Sequence, residues 1–330
     1  MRVLITGGAG YVGSHACKAL SASGFEPVAF DDLRRGNRWA VRWGPLIERD
    51  LAERSSISDA IREHSVEAVM HFAAYAYVGE SMENPALYFR NNVVNSLNLL
   101  DAMVETGVRH IVVSSSCAVY GAPDEVPITE RTPLRPINPY GESKAMLERL
   151  LSWYGHCHDL SWTALRYFNA AGADPDSEIG EWHDPEPHLI PIVIEAALGM
   201  RPHVSIYGTD YDTPDGTAVR DYVHVSDLAD AHVLALECLL GGGESSALNL
   251  GTGCGASVRE IIEAVARVAA HRPNVLEGPR RQGDPHTLVA DPSLAREKLG
   301  WTPTLSDLDV IARTALDWRE KGLAKVLRDG

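Results

Sequence analysis

Cysteine is scarce and unpatterned: the 330-residue chain has five (Cys17, Cys117, Cys157, Cys238, Cys254), an odd number with no CxxC pair. That argues against a disulfide framework and for a reducing, cytoplasmic compartment. Positive charge is in deficit too. Thirty Lys+Arg face 45 Asp+Glu, a formal net charge of −15. Nucleic acid and anionic membrane surfaces both demand a basic face, so neither is an expected partner. No apolar run approaches the roughly 18 residues that span a bilayer. The start, Met1-Arg2-Val3-Leu4-Ile5-Thr6-Gly7, turns to glycine too early for the apolar core of a signal peptide. Internal repeats, low-complexity tracts and charge blocks are lacking as well.

What remains is the composition of a globular chain, 45% hydrophobic, long enough for two domains of about 150 residues each. Short apolar runs at Arg2–Thr6, Pro27–Phe30, Val66–Phe72, His110–Ser114 and Ser161–Tyr167 read as strands. Helical stretches separate them: Tyr11–Ser23, Ser56–His64, Pro85–Thr106 and one opening near Pro139. Strand–helix alternation with nearly continuous apolar strands predicts an α/β fold, a parallel sheet covered on both faces. After Asn169 the texture changes to an Asp-, Glu-, Gly- and Pro-rich loop (Asp174–Pro187). Shorter elements follow: a helix from about His188, a strand near Val204–Tyr207, and helices near Ser226–Leu240 and Ser257–Ala270. The expected division is therefore 1–168 and 169–330, with segments near 217–242 returning to the first domain.

Thr6-Gly7-Gly8-Ala9-Gly10-Tyr11-Val12-Gly13 follows the first strand and opens the first helix. Gly7, Gly10 and Gly13 follow GxxGxxG spacing, which suits a tight turn, close backbone approach to a pyrophosphate, and close helix–strand packing. A helix N-terminus there offers free N–H groups and a positive dipole end to phosphates. A plain glycine turn would share the spacing, but Asp31 and Asp32 close the second strand about 20 residues on, where a carboxylate binds ribose hydroxyls. A carboxylate at that point repels a 2′-phosphate and favours NAD over NADP; Arg34 and Arg35 pull slightly the other way. The pattern is that of a Rossmann-type, doubly wound parallel sheet with a smaller α/β substrate-binding C-terminal domain.

Tyr140 and Lys144 stand four apart on a helix, hence on one face. A lysine ammonium, helped by a cationic nicotinamide, would lower the phenol pKa and let Tyr140 act as general base or acid. Ser116, just past the strand His110–Ser114, lies at the carboxyl end of the sheet, where its hydroxyl could bind the same substrate oxygen. An exposed Tyr–Lys pair is the bland alternative.

Several motifs then occur in order: Gly7 to Gly13, His71-Phe72-Ala73-Ala74, Ser114 to Gly121, Tyr140 to Lys144, and Arg166-Tyr167-Phe168-Asn169. Together they resemble the extended short-chain dehydrogenase/reductases that act on nucleotide sugars. Val78-Gly79-Glu80-Ser81, Asn91-Asn92, Gly216 to Tyr222 and Arg281-Gln282-Gly283-Asp284 narrow the likeness to the UDP-glucose 4-epimerase group. The resemblance implies bound NAD, hydride transfer from and back to sugar C4, Tyr140 as proton acceptor, Lys144 as its tuner and ribose ligand, and Ser116 as an aid to proton movement. It assigns NAD contacts to Tyr11, Val12, Asp31, Asp32, Leu33, Arg34, Arg35, Gly36, Asp50, Leu51, Phe72, Ala73, Ala74, Tyr75, Ala76, Asn91, Ser116 and Phe168. It assigns the UDP-sugar to Asn169, His188, Leu189, Tyr207, Arg220, Arg281 and Asp284, and a gate on the sugar pocket to Leu288. The family's interface helices further imply a homodimer.

Related activities leave different marks. Nucleotide-sugar 4,6-dehydratases carry an Asp-Glu pair where this chain has Cys117 and Ala118, so dehydration is not expected. A non-catalytic NAD-sensing protein would keep the glycine loop and tend to lose the Tyr–Lys pair. Ala76 replaces a lysine common in the family. Bulky Leu288 favours unacetylated sugars, and the run Phe72–Ser81 also resembles UDP-arabinose (UDP-xylose) 4-epimerases. His156-Cys157-His158 suggests a metal, but adjacent helical positions point apart, and no metal is expected.

Overall fold

The structure, a computed structural model, describes residues 1–269, 271–281, 284–323 and 326. Six of the strands that build its main sheet are β1 (Arg2–Thr6), β2 (Glu26–Asp31), β3 (Leu46–Glu48), β4 (Ala68–His71), β5 (His110–Ser116) and β6 (Ser161–Tyr167). Ser246–Leu250 adds a seventh beside β6, and the spatial order is Ser246–Leu250, β6, β5, β4, β1, β2, β3, with every pair parallel. The order reverses between β1 and β4. A crevice opens at such a switch point beyond the carboxyl ends of the strands. Thr6, Phe30 and His71 stand in register there.

Alternate strand residues face opposite layers. Val3, Ile5, Met70, Val112, Leu165 and Leu248 pack under the helices Tyr11–Ala22 and Val225–Leu240. Leu4, Val28, Val69, Ile111 and Val113 pack under Arg54–Glu63, Asn95–Thr106 and Pro139–His158. Burying each such side chain contributes roughly 1.5–3 kcal/mol, which holds the strand ends, and hence the crevice, rigidly. Around a third core, Ile194, Val265 and Ile311 join the helices Leu189–Ala197, Val258–Val268 and Leu308–Asp317. Small sheets tie that lobe to the crevice: Asn169–Ala171 pairs with Tyr222–His224, and Val219–Arg220 lies between Ala256–Ser257 and Thr287–Leu288.

Three details differ from the sequence pattern. The stretch Pro85–Thr106 is helical, but its middle, Phe89–Val94, is a π-helical segment between Pro85–Tyr88 and Asn95–Thr106. β5 runs on through Ser116, so the serine ends the strand rather than following it. The chain also re-enters the main sheet further along than 217–242, because the strand Ser246–Leu250 follows its helix back to β6. Among the described residues, no helix is long and apolar enough to cross a membrane.

Candidate active site

Gly7 carries φ +74, and a Cβ on it would sit 2.6 Å from Ala73 N, so the turn after β1 touches the segment after β4. A Cβ on Gly13 would lie 2.1 Å from Gly7 O. Only glycine lets turn and helix approach this closely. The helix Tyr11–Ala22 begins at Gly10 with no side-chain cap, leaving its first N–H groups for an anion. Asp31 stands beneath the turn, accepting hydrogen bonds from Ala9 N at 3.0 Å and Leu33 N at 2.9 Å. Burial raises its pKa, against the pull of those two bonds. Gly36 closes over it, since a Cβ there would meet Asp31 Oδ1 at 2.6 Å.

The neighbouring arginines are already paired. Arg34 reaches Asp50 at 2.7 Å and Asp32 at 3.2 Å. Arg35 holds Glu80 at 2.6 Å, with its guanidinium 4.0 Å above the Tyr75 ring. Their carboxylate partners and Asp31 would repel a 2′-phosphate, so the site suits NAD. Leu51 is buried beside this acidic rim, while Ala73, Ala74 and Asn91 are partly buried and Ala76 is exposed.

Asn138 caps the helix Pro139–His158, its side chain accepting from Gly141 N at 2.8 Å, and so sets Tyr140 and Lys144 in the first turns. Lys144 is buried, and its Nζ donates to Ser114 O at 2.7 Å. That uses one of three ammonium donors; the others suit ribose hydroxyls. Burial lowers its pKa to about 8, with Glu148 opposing, so it stays charged at neutral pH. Burial pushes the Tyr140 phenol up to about 12, although the Ser116 hydroxyl pulls it down. A cationic nicotinamide, where bound, would oppose that rise.

Phe168 and Leu288 share a buried cluster with Cys117, next to Ser116. Leu288 stands in register with Arg220, and the Arg220 guanidinium is paired with Asp284. The Arg281 guanidinium lies 4.2 Å over the Tyr207 ring. Asn169 begins the strand paired to Tyr222. His188 precedes the helix beginning at Leu189, and its imidazole turns towards Glu181 and Glu186. Gln282 and Gly283 of the fourth motif lie outside the described residues.

Residues 3–251 match the NAD dependent epimerase/dehydratase family. The chain belongs to that family. It is 49% identical over 319 residues to a UDP-glucose 4-epimerase of Rhizobium meliloti (strain 1021), covering 97% of each chain. Its fold superimposes with a TM-score of 0.94 on UDP-glucose 4-epimerase from Brucella ovis in complex with NAD, at 50% identity over 96% of this chain and 97% of that one. A UDP-glucose-4-epimerase from Stenotrophomonas maltophila with bound NAD and formylated UDP-arabinopyranose gives a TM-score of 0.95 at 40% identity, with 100% of both chains covered.

In this epimerase/dehydratase fold, several residues without an assigned site role hold the site together. Asn92 grips Tyr75 and the helix Pro139–His158 together. His71 bridges Thr6 at 2.6 Å and Ser96 at 2.8 Å, and burial lowers its pKa to about 3. Glu148, one turn beyond Lys144, accepts from Ser115 at 2.5 Å and from Arg166 Nε at 2.9 Å, so a buried ion pair fastens the helix to β5 and β6. Asp221 gathers Thr252 N at 2.8 Å, Gly253 N at 3.1 Å and Ala290 N at 3.1 Å. His71, Asn92, Arg166 and Asp221 stand inside the quoted motifs, whereas Glu148 and Ser96 have no such mark in the sequence.

Proposed function

We propose that the chain works as a UDP-glucose 4-epimerase, interconverting UDP-glucose and UDP-galactose through a 4-keto sugar. The observation that carries this reading is the convergence of Tyr140, buried Lys144 and Ser116 at the carboxyl end of β5, with only β4 between β5 and the strand that leads into the glycine turn. When bound, NAD supplies the acceptor and donor of the C4 hydride. Gly7, Gly10, Gly13 and the open helix N-terminus would hold its pyrophosphate, Asp31 its adenosine ribose, and Lys144 its nicotinamide ribose. Tyr140 takes the proton from the sugar 4-hydroxyl as the C4 oxygen becomes a carbonyl, and Ser116 hydrogen-bonds that oxygen. Return of the same proton to the oxygen, once the sugar presents its other face, completes an isomerisation. Arg220 and Arg281 offer the cationic grip on a diphosphate that a chain of net charge −15 must arrange locally.

A cytoplasmic setting fits five free cysteines. Self-association as a homodimer is supported by Leu87, Val94 and Trp153, large apolar side chains exposed on the helical stretches Pro85–Thr106 and Pro139–His158. Proton NMR of the protein with UDP-glucose and, separately, UDP-xylose tests the reading. Appearance of UDP-galactose supports it. UDP-arabinose alone would transfer the activity to pentoses, a reading favoured by the run Phe72–Ser81. No change in either tube, even with added NAD, would overturn it.

A further inference from the structure

A second cluster, which includes the His188 assigned by resemblance to the UDP-sugar, lies in the loop leading to the helix Leu189–Ala197. Glu181, His183, Glu186 and His188 each present one ligand atom, all within 4.8 Å of one another. His183 Nδ1 stands 3.4 Å from Glu181 Oε1 and 3.4 Å from Glu186 Oε2. His188 Nδ1 stands 2.7 Å from Glu181 Oε1 and 2.9 Å from Glu186 Oε1. These four contacts share at most two protons, since each Nδ1 can carry one. The carboxylates are 8% and 6% exposed, and among the described residues neither pairs with lysine or arginine.

We propose that Glu181, His183, Glu186 and His188 bind one divalent transition-metal ion of the zinc class. Two nitrogens and two carboxylate oxygens form a borderline donor set that suits such an ion better than Mg²⁺ or Ca²⁺. Bonds of about 2.0–2.1 Å in a tetrahedron place ligand atoms about 3.3–3.4 Å apart. The His183 contacts already have that spacing; the His188 contacts, at 2.7 and 2.9 Å, the latter through the other oxygen of Glu186, would open by about 0.4–0.7 Å. The loop is held in place independently: Trp318 Nε1 donates to Glu181 O at 3.0 Å, and Lys18 holds Asp174 at 2.7 Å. Tyr77 lies edge-on to both imidazoles, with ring centroids 5.8 and 5.9 Å away. The ion would therefore fasten the 181–188 segment beside Tyr77 and fix the start of the helix at Leu189. Its role is structural, and its binding does not depend on which sugar is turned over.

Metal content tests the proposal without reference to activity. Full-length protein stripped with a chelator is titrated with Zn²⁺ against a chromophoric competitor, and with Co²⁺ followed by visible absorption. The expected result is about one ion per chain, a strong Co²⁺ band of four-coordinate type, and a higher Tm with Zn²⁺. His183→Gln and Glu186→Gln, each checked for native circular dichroism, should lose the stoichiometric ion and the band. A wild-type chain that takes up no stoichiometric Zn²⁺ overturns the proposal. So does uptake that survives in both folded variants, or that vanishes instead in a His156→Ala, His158→Ala double variant at the exposed helix end.

Discussion

Asn92 donates to the Ser143 hydroxyl at 3.0 Å and holds both main-chain groups of Tyr75, at 2.9 Å each. Ser143 in turn donates to Tyr140 O at 2.7 Å. One buried amide thus joins the segment after β4, which backs the glycine turn, to the helical turn that carries the phenol. The π-helical segment Phe89–Val94 delivers Asn92 to that position, and such segments often occur at functional sites. Asn92→Ala strands several buried polar groups, each costing about 1–3 kcal/mol. The variant should unfold at lower urea and retain less NAD through gel filtration. Wild-type values on both measures would show that the link has no structural role.

Tyr140→Phe keeps the ring and removes the oxygen that carries the proton. NAD retention should stay near wild type, while turnover falls by about 10²–10⁴-fold, the usual contribution of a positioned acid–base group. Turnover within a few fold of wild type would remove Tyr140 from the proton-transfer role. Lys144→Met should differ, losing both turnover and NAD affinity, because its ammonium is the buried cation left to meet a ribose.

The parts of this site written as local spacing were legible before the fold was known. Gly7, Gly10 and Gly13 form a turn between adjacent elements, and Tyr140 with Lys144 is a one-turn relationship on a single helix. Tertiary partners left no such mark. Arg166 and Glu148 are 18 residues apart and meet only because β6 docks under the helix. Asn92 sits in an apolar stretch of helical period, which does not distinguish an α from a π turn. Ser246–Leu250 is short and half polar, so its place in the sheet depends on pairing with β6. Glu181 to His188 converge through an irregular proline-containing loop, where no periodicity exists to read.

His232 gives the stability curve a testable acid limb. Its ring is buried 4.6 Å from that of Phe72, and Nδ1 bonds Leu228 O at 2.8 Å. Burial lowers its pKa to about 4, against the pull of the Leu228 bond. Above pH 6.5 folded and unfolded chains both hold it neutral, and it has no effect on stability. Between 6.5 and about 4 only the unfolded chain takes up the proton, so stability falls by about 1.4 kcal/mol per pH unit. Below that range the loss is complete. Urea unfolding at pH 7 and pH 5 should show His232→Gln losing about 2 kcal/mol less than wild type over the interval. Equal losses in the two proteins would mean that His232 is protonated in the folded state.

Leu288 ties sugar selection to packing. It is 9% exposed, shares a cluster with Cys117 and Phe168, and lies in register with Arg220. Its side chain therefore packs within the cluster that follows Ser116, on a strand in register with the arginine proposed to grip the diphosphate. Leu288→Ala should open space for an acetamido group and raise turnover of UDP-N-acetylglucosamine relative to UDP-glucose. Removing the buried methyl groups also costs about 2–5 kcal/mol of stability, so both sugars are to be assayed below the variant's own melting transition. A folded variant whose preference between the two sugars is unchanged would place the size limit elsewhere in the pocket. Since the alanine leaves Tyr140, Lys144 and Ser116 in position, retained turnover of UDP-glucose separates a changed gate from a damaged catalytic centre.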